Sequence, residues 1–481
     1  MSFAGILKNI KRKGIMGTWE IFLESNTKNG QTRKKVRELE EELISVKKQL
    51  LSAEKEKEYF ERELEIKRLL FMAKEERETD VQNMIYEKIR DLEKLTGYKT
   101  YIKRKYIKRI LPKVYEMYSV LPIKNEMVFM QPRRGLNGSC RYIYHKIEEQ
   151  KKYRPILFEL QRDNVPVTLY YENAVEWVKA LATAKACFVH ESNDLMGYLD
   201  IRKETKIVQL WHGCGVLKKI GLSTADKKDF KSAETYREFP EYNKYDMVTI
   251  ASPELSWVFE EFMGIDKESG IIQAIGVSRT DEFFDPQYIQ NCYEKLYERI
   301  PEAKEKKIIL YAPTYRGVNQ KRVAPDALDI EKFEKALGDR YILIIKQHQT
   351  VKELPEIPEE YRDKFAYDMT RGRGMDINEL MTVSDICISD YSSLVFEFAL
   401  FERPILFFAY DLEDYIDNRG LYYDFDDITP GPVCRTNEEL IDYIQNIDKR
   451  FDKQEIIDFK NKFMCSCDGH ATERILKFAE E

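Results

Sequence analysis

The sequence of 481 residues lacks an excess of positive charge, since 78 Lys and Arg stand against 84 Asp and Glu, for a formal net charge of −6. This balance argues against a protein that binds nucleic acid through a generally basic surface. No apolar stretch approaches the roughly 18 residues that a membrane-spanning helix requires, and no signal peptide is recognisable. A soluble or peripheral protein of the cytoplasm is therefore expected.

Cysteine is present without a pairing pattern. Eight cysteines are scattered along the chain, several of them inside apolar runs, at positions 140, 187, 214, 292, 387, 434, 465 and 467. This distribution predicts reduced thiols in the core of a cytosolic protein. The segment "CSCDGH" (465–470) has one Cys-x-Cys and one His but no second ligand pair. We therefore predict no metal site there.

A heptad pattern occupies the N-terminal part of the chain. Apolar residues recur there at alternating spacings of three and four, at Val36, Leu39, Leu43, Val46, Leu50, Ala53, Phe60, Leu64 and Phe71. This spacing predicts a coiled coil through which the chains form a homo-oligomer. Lys57 and Lys67 stand at two seam positions, which lowers stability and favours one register. A solvated single helix packed on its own domain is the alternative.

Basic segments flank the heptad pattern on both sides. Residues 7–13 read "LKNIKRK", and residues 98–113 read "YKTYIKRKYIKRILPK", without one acidic residue. Cations interleaved with Tyr, Ile and Leu suit an anionic membrane surface, where each contributes about 1 kcal/mol. An ordinary solvated charged face is the alternative.

Short apolar runs alternate with helical patterns from about residue 125 onward. The candidate strands are 127–130, 186–190, 206–211, 247–252, 270–276, 306–313, 341–348, 386–389 and 404–410. This alternation predicts an α/β fold with parallel sheets. A charged helical stretch at 290–305 separates the runs into two series. We therefore predict two Rossmann-like domains, preceded by a helical coiled-coil segment.

The predicted domain boundaries follow these changes of pattern. The basic N-terminus and coiled coil occupy 1–97, and a basic helical connector occupies 98–124. The N-terminal Rossmann-like domain then occupies 125–300 and the C-terminal one 301–481.

Polar residues follow the predicted strands in both series. In doubly wound sheets, ligands bind at the carboxyl ends of the strands, so these residues are the candidates for a site. They are His212, Lys218, Arg279, Arg316, His348, Asp390, Ser392 and Ser393. Ser392 and Ser393 precede a predicted helix, and the free N–H groups and dipole of a helix N-terminus favour an anion such as phosphate, although serines there are also ordinary N-caps. In the company of His, Arg and Lys, they predict a site for a pyrophosphate ester.

The motifs that carry these residues resemble those of a known family, the CDP-glycerol glycerophosphotransferases, which include the teichoic-acid polymerases and primases. In chain order they are "QLWHGCGVLKKIG" (209–221), "GVSRTD" (276–281), "LYAPTYRG" (310–317), "DINELMTVSDICISDYSSLVFEFALFERPILFFAYDLEDY" (376–415), "RGLYYDF" (419–425) and "CDGHATERI" (467–475). The resemblance runs from about Leu111 to the C-terminus and leaves out the heptad segment.

The resemblance implies a fold and a reaction. The fold is of GT-B type, with two Rossmann-like domains facing a cleft, the acceptor on the first domain and the donor on the second. The donor is CDP-glycerol or a related CDP-alditol, and the acceptor is a lipid-linked polyol phosphate at the inner face of the cell membrane. An alditol phosphate, expected to be glycerol phosphate, passes to an acceptor hydroxyl and CMP is released. Neither a metal nor another cofactor is implied.

The resemblance also implies roles for the candidate residues. His212 and His348 take the positions of the family's catalytic histidines, and a neutral imidazole can accept a proton from an attacking hydroxyl. Donor binding is implied for Arg316, Asp390, Ser392 and Ser393. Contact with a phosphate or with the acceptor is implied for Lys218 and Arg279.

Some positions depart from the family pattern. Glu397 stands where Asp is usual, Ser278 replaces Pro in the family's "GxPR", and Cys214 and Gly215 occupy a region where Pro is frequent. The resemblance therefore indicates the reaction class, while the transferred alditol stays open. Two alternatives are a GT-B glycosyltransferase that uses a nucleotide sugar, and a coiled-coil scaffold with a degenerate enzyme domain.

Overall fold

A computed structural model describes residues 30–132, 135–136, 138–162, 165–317, 322–348, 351, 353–370, 372, 374–413, 415 and 420–481. The basic segment predicted at 7–13 lies outside these residues. The chain divides into two compact units, the first formed by Met1–Ile102 with Pro166–Thr168 and the second by Lys103–Val165 with Leu169–Glu481.

The first unit is built on α1 (Gly30–Glu75), a continuous helix of 46 residues. A second helix, α2 (Thr79–Leu92), contacts α1. Ile66, Leu70 and Ala73 of α1 are buried. The described seam residues are instead exposed, at 42% for Val46, 58% for Leu50, 52% for Phe60, 45% for Leu64 and 68% for Phe71. The helix is observed, and association of chains through its uncovered seam stays a prediction.

The basic segment at 98–113 forms a run of helix, α3 (Tyr98–Lys105), a π-helical stretch (Tyr106–Ile110) and the start of α4 (Leu111–Ser119). Within the second unit, Lys103 Nζ lies 2.5 Å from the buried carboxylate of Asp194. Arg104 and Lys108 both contact Glu238, at 2.6 and 3.0 Å. Hydrogen bonds from these two cations lower the pKa of Glu238 to about 2. Three of the cations predicted to face a membrane therefore pair with acids of the same unit.

The second unit contains two sheets whose strands are all parallel. The first sheet consists of β1 (Glu126–Gln131), β2 (Arg154–Glu159), β3 (Ala186–Val189), β4 (Lys206–Gln209), β5 (Met247–Thr249) and β6 (Ile272–Gln273). Its strand order is β2-β1-β3-β4-β5-β6. The helices between these strands are α5 (Gly138–Gln150), α6 (Val167–Leu181), α7 (Ala233–Glu238) and α8 (Ser256–Met263).

The second sheet repeats this design. Its strands are β7 (Lys307–Tyr311), β8 (Tyr341–Ile345), β9 (Ala366–Asp368), β10 (Ile386–Ser389), β11 (Ile405–Phe408) and β12 (Val433–Cys434), in the order β12-β11-β10-β7-β8-β9. The described α-helices from residue 286 onward are α9 (Pro286–Arg299), α10 (Ile330–Leu337), α11 (Ile377–Val383), α12 (Leu394–Phe398), α13 (Asn437–Gln445), α14 (Ile447–Arg450), α15 (Lys453–Phe463) and α16 (Ala471–Glu480). The prediction of an α/β fold with parallel sheets is confirmed.

The last helix joins the core of the first sheet. Ile475 and Leu476 of α16 are buried in one cluster with Met127, Phe129 and their neighbours on the first sheet. The predicted division of the chain at residue 300 stays a prediction, and the C-terminal end of the chain packs with the residues that precede this division. Among the described helices, none is long and apolar enough to cross a membrane.

Candidate functional site at the carboxyl ends of the two sheets

Loops at the carboxyl ends of the two sheets contact each other within the second unit. Lys218, in the loop after β4, forms an antiparallel bridge with Leu421, and the Tyr422 N–H donates to the Leu217 carbonyl at 2.9 Å. The loop after β4 holds His212 and Lys218, two of the residues that the sequence predicts for the site. The contact therefore places the loop of these two residues beside a loop of the second sheet.

The loop after β4 carries His212 in a strained backbone. Trp211 has a φ of +55°, a conformation that residues other than Gly, Asn and Asp rarely adopt. Hydrogen bonds hold this turn in place: the Trp211 N–H donates to Gln209 Oε1 at 2.9 Å, and Ser139 Oγ donates to the Trp211 carbonyl at 2.6 Å. The His212 side chain is exposed. Strain of about 1–3 kcal/mol persists only where the surroundings impose it, and such sites are frequently functional.

Arg279 lies against this loop. Its Nη1 donates to the His212 carbonyl at 2.6 Å, and its Nη2 donates to Asn378 Oδ1 at 2.7 Å. The predicted contact of Arg279 with a phosphate or the acceptor stays a prediction, because its observed partners are protein groups.

Asp390 joins the loops after β10 and β7. Its Oδ1 accepts the N–H of Thr314 at 2.8 Å and that of Tyr391 at 2.6 Å, and its Oδ2 accepts Arg316 Nη1 at 2.9 Å. The strand order reverses between β7 and β10. In doubly wound sheets, a ligand binds at such a switch point.

Arg316 is held between two carboxylates. Besides Asp390, it donates to both oxygens of Asp411, at 2.5 and 2.9 Å. Burial alone would lower the pKa of Arg316, but the hydrogen bonds to Asp411 and the charge of Asp390 outweigh it and raise this pKa. Asp411 was not among the residues predicted for the site. It follows β11, so the rule that selects polar residues at strand ends would have found it in the sequence.

The two serines at the start of α12 differ in their hydrogen bonds. Ser392 Oγ accepts the Leu394 N–H at 3.3 Å. Ser393 occupies the N-cap position and makes no side-chain cap bond. Because α12 has five residues, its dipole is small compared with that of a longer helix. The Ser393 hydroxyl therefore has no capping role in this structure.

Three groups that carry or can accept a positive charge lie near the Tyr315 ring. The His348 ring lies 4.8 Å from it, Lys218 Nζ lies 5.9 Å from its centroid, and the Arg322 guanidinium carbon lies 4.8 Å from it. Lys218 thus reaches from a loop of the first sheet to a ring of the second. Arg322 was missed in the sequence because it lies beyond the "LYAPTYRG" motif.

Two parallel sheets whose carboxyl-end loops carry histidines, hydroxyls and cations are typical of an α/β protein that binds its ligand at this edge of the sheets. The chain belongs to the CDP-Glycerol:Poly(glycerophosphate) glycerophosphotransferase family, whose model matches residues 113–481. The predicted family and its reaction class, transfer of an alditol phosphate, are thereby confirmed.

The relatives include enzymes for two alditols. The teichoic acid poly(ribitol-phosphate) polymerase of Bacillus spizizenii is 34% identical over 75% of this chain, and the match spans 57% of that protein. The teichoic acid glycerol-phosphate primase of Bacillus subtilis is 32% identical over 66% of this chain and 80% of that protein. The relatives therefore leave the choice between glycerol and ribitol open.

A solved structure shares the fold. The wall teichoic acid polymerase TagF, in a variant with one histidine replaced by alanine, superposes with a TM-score of 0.64 over 80% of this chain and 97% of that chain, at 23% identity. At this identity, the likeness concerns the fold.

Proposed function

We propose that this enzyme transfers an alditol phosphate from a CDP-alditol to a hydroxyl of a lipid-linked polyol-phosphate acceptor and releases CMP. The two sheets are proposed to form a GT-B arrangement, with the acceptor on domain 125–300 and the donor on domain 301–481. One observation carries the proposal: a Cβ added to Gly213, next to His212, would lie 3.6 Å from Ser393 Oγ. The loop of the proposed base thus lies against the turn of the proposed donor site.

In the proposed reaction, His212 accepts the proton of the attacking acceptor hydroxyl. The hydroxyl oxygen forms a bond to the phosphorus that carries the alditol, and the bond from this phosphorus to the bridging oxygen of CMP breaks. His348 and Lys218 stabilise the charge that develops on the departing CMP, because transfer of this kind depends on positioning and charge stabilisation. Arg316 acts through Asp390, which orders the turn before Ser392.

The donor is proposed to be CDP-glycerol, with CDP-ribitol as the measured alternative. One TagF structure, of a variant with a histidine replaced by asparagine, was soaked with CDPG. A donor screen tests the proposal by measuring CMP release from CDP-glycerol and CDP-ribitol in the presence of acceptor. Release of a nucleoside diphosphate from a nucleotide sugar, with no CMP from either CDP-alditol, would instead establish the glycosyltransferase.

Ser392 and Ser393 are proposed to bind the donor phosphates. We expect Ser392→Ala and Ser393→Ala to raise the KM for the CDP-alditol more than they lower kcat, because a hydroxyl that contacts phosphate does so in both ground and transition states. Steady-state kinetics with varied donor measure this.

Thr436 is the matched control, since its side chain is a true N-cap that accepts the Glu439 N–H. Thr436→Ala should lower the free energy of unfolding by about 1 kcal/mol and leave KM unchanged. If the double serine variant also keeps its KM, the two hydroxyls do not bind the donor.

The exposed seam of α1 is proposed to associate with the same helix of a second chain, which would present several basic segments to an anionic membrane at once. We expect Leu50→Lys with Leu64→Lys to yield monomers in light scattering and to weaken sedimentation with anionic vesicles. The control is Leu51→Lys with Met72→Lys, which changes off-seam positions of similar exposure, 51% and 57%. If the seam variant keeps the molar mass of the wild type and sediments with vesicles equally well, the seam neither associates chains nor supports membrane binding.

A further inference from the structure

The loop that carries His212 is held at two adjacent backbone groups. The His212 carbonyl accepts a hydrogen bond from Arg279 Nη1 at 2.6 Å. The Cys214 N–H donates to Glu397 Oε1 at 3.3 Å. Arg279 Nη1 and Glu397 Oε1 are themselves 3.6 Å apart. One ion pair therefore holds the backbone on both sides of Gly213.

This ion pair is shielded from solvent. The side chain of Arg279 is 12% exposed and that of Glu397 is 3% exposed. A charge interaction is stronger away from water, and removal of one partner leaves the other as an uncompensated buried charge. The loss of either side chain should therefore disturb the groups that they hold.

The pair also joins the two sheets. Arg279 lies in the short helix Ser278–Phe284, which follows β6. Glu397 lies on α12, which follows β10 and begins directly after Ser393. Asn378 on α11 provides the other acceptor for Arg279. The His212 loop is thus attached to the same helix whose first turn is the proposed donor site.

The attachment is needed because the loop is strained. The left-handed backbone of Trp211, at a φ of +55°, is stable only while its surroundings impose it. Gly215 adds a second constraint, since a Cβ there would clash with the Phe396 ring. The Phe396 ring on α12 therefore limits where the backbone of the His212 loop can lie.

We infer that Glu397 and Arg279 are positioning residues that hold His212 at the distance from the donor turn that the transfer requires. This inference rests on the proposed role of His212 as the base. Neither side chain acts on the reacting atoms; both act through the His212 loop. A misplacement of about 1 Å lowers a rate by about 10²-fold, so the pair should matter for turnover and little for donor binding.

Kinetics of three variants test this inference. We expect Glu397→Ala to lower kcat by about 10²-fold with an unchanged KM for the CDP-alditol. Glu397→Gln keeps an acceptor for the Cys214 N–H, so its loss should be smaller. Combining Glu397→Ala with His212→Ala should give no slower enzyme than His212→Ala alone, because residues that act as a unit are not additive. A normal kcat in Glu397→Ala, or a further loss in the double variant, would overturn the inference.

The control is Glu402→Gln, on the segment that follows α12. Glu402 pairs with Lys453 at 2.8 Å and with Lys460. Its substitution removes a charge from a more exposed ion pair, with Glu402 at 27%, that holds no part of the His212 loop, so kcat should not change. An equal loss of kcat in Glu402→Gln would assign the effect to general destabilisation and overturn the inference.

A second readout needs no substrate, which separates this inference from the proposed function. The chain has five histidines, so the side-chain signals of isotope-labelled histidine can be resolved by NMR and that of His212 assigned by its absence in His212→Ala. We expect the His212 signal to move in Glu397→Gln and in Arg279→Lys. His145 and His470, at 57% and 63% exposed, should not respond. A stationary His212 signal in both folded variants would refute the inference, whereas wild-type enzyme that releases no CMP would refute the proposed function alone.

Discussion

His212→Ala should lower the rate of alditol-phosphate transfer by about 10²- to 10⁴-fold, the range that general acid–base catalysis contributes. His212 is exposed in the loop after β4, and the next residue, Gly213, lies beside the proposed donor turn, so His212→Ala removes the proposed proton acceptor. We expect His348→Ala to fall in the same range, because the charge on the departing CMP loses its stabilising group. CMP release at saturating donor and acceptor measures both.

His145→Ala is the matched control for this experiment. His145 lies on α5, is 57% exposed and pairs with Glu148, so its removal should leave the rate unchanged. Thermal unfolding of all variants verifies that the fold is intact. Turnover like that of the wild type in folded His212→Ala would exclude this residue as the base.

Arg316→Met should lower the free energy of unfolding by about 3 kcal/mol, since breaking a buried ion pair on one side leaves uncompensated charge. Asp390 and Asp411 would both lose their cation, and Asp390 is 2% exposed. Arg316→Lys keeps the charge but cannot donate in the same forked geometry, so its loss should be smaller. Urea unfolding followed by fluorescence or circular dichroism gives these free energies.

Arg450→Met provides the comparison for the same substitution at the surface. Arg450 is 47% exposed and pairs with Asp442, which is 65% exposed. An exposed pair of this kind contributes about 0–1 kcal/mol. If Arg316→Met is as stable as Arg450→Met and only raises the KM for the donor, Arg316 is a direct donor contact and not a support of the Asp390 turn.

The sequence by itself determined the sheets, the candidate residues at strand ends and the family. The central strands are buried on both faces, so each is a short apolar run in the sequence. Such a run can be recognised without knowing which strands lie beside it. The strands β2, β9 and β12 were not predicted. All three lie at the edges of the sheets, where strands are shorter or half-exposed and their apolar signal is weak.

Only the tertiary structure decided what the charged residues contact. Arg316 and Asp411 are separated by 95 residues, and Arg279 reaches Asn378 across 99 residues. In the sequence, Arg279 is a cation that follows a predicted strand. In the fold, its guanidinium donates to the His212 carbonyl and to the side-chain amide oxygen of Asn378. Similarly, Lys103, Arg104 and Lys108 belong to a basic run in the sequence, and the fold supplies acids for all three. Periodicity is a local property of the chain, but the partner of a charge depends on which distant segments folding brings within a few ångströms.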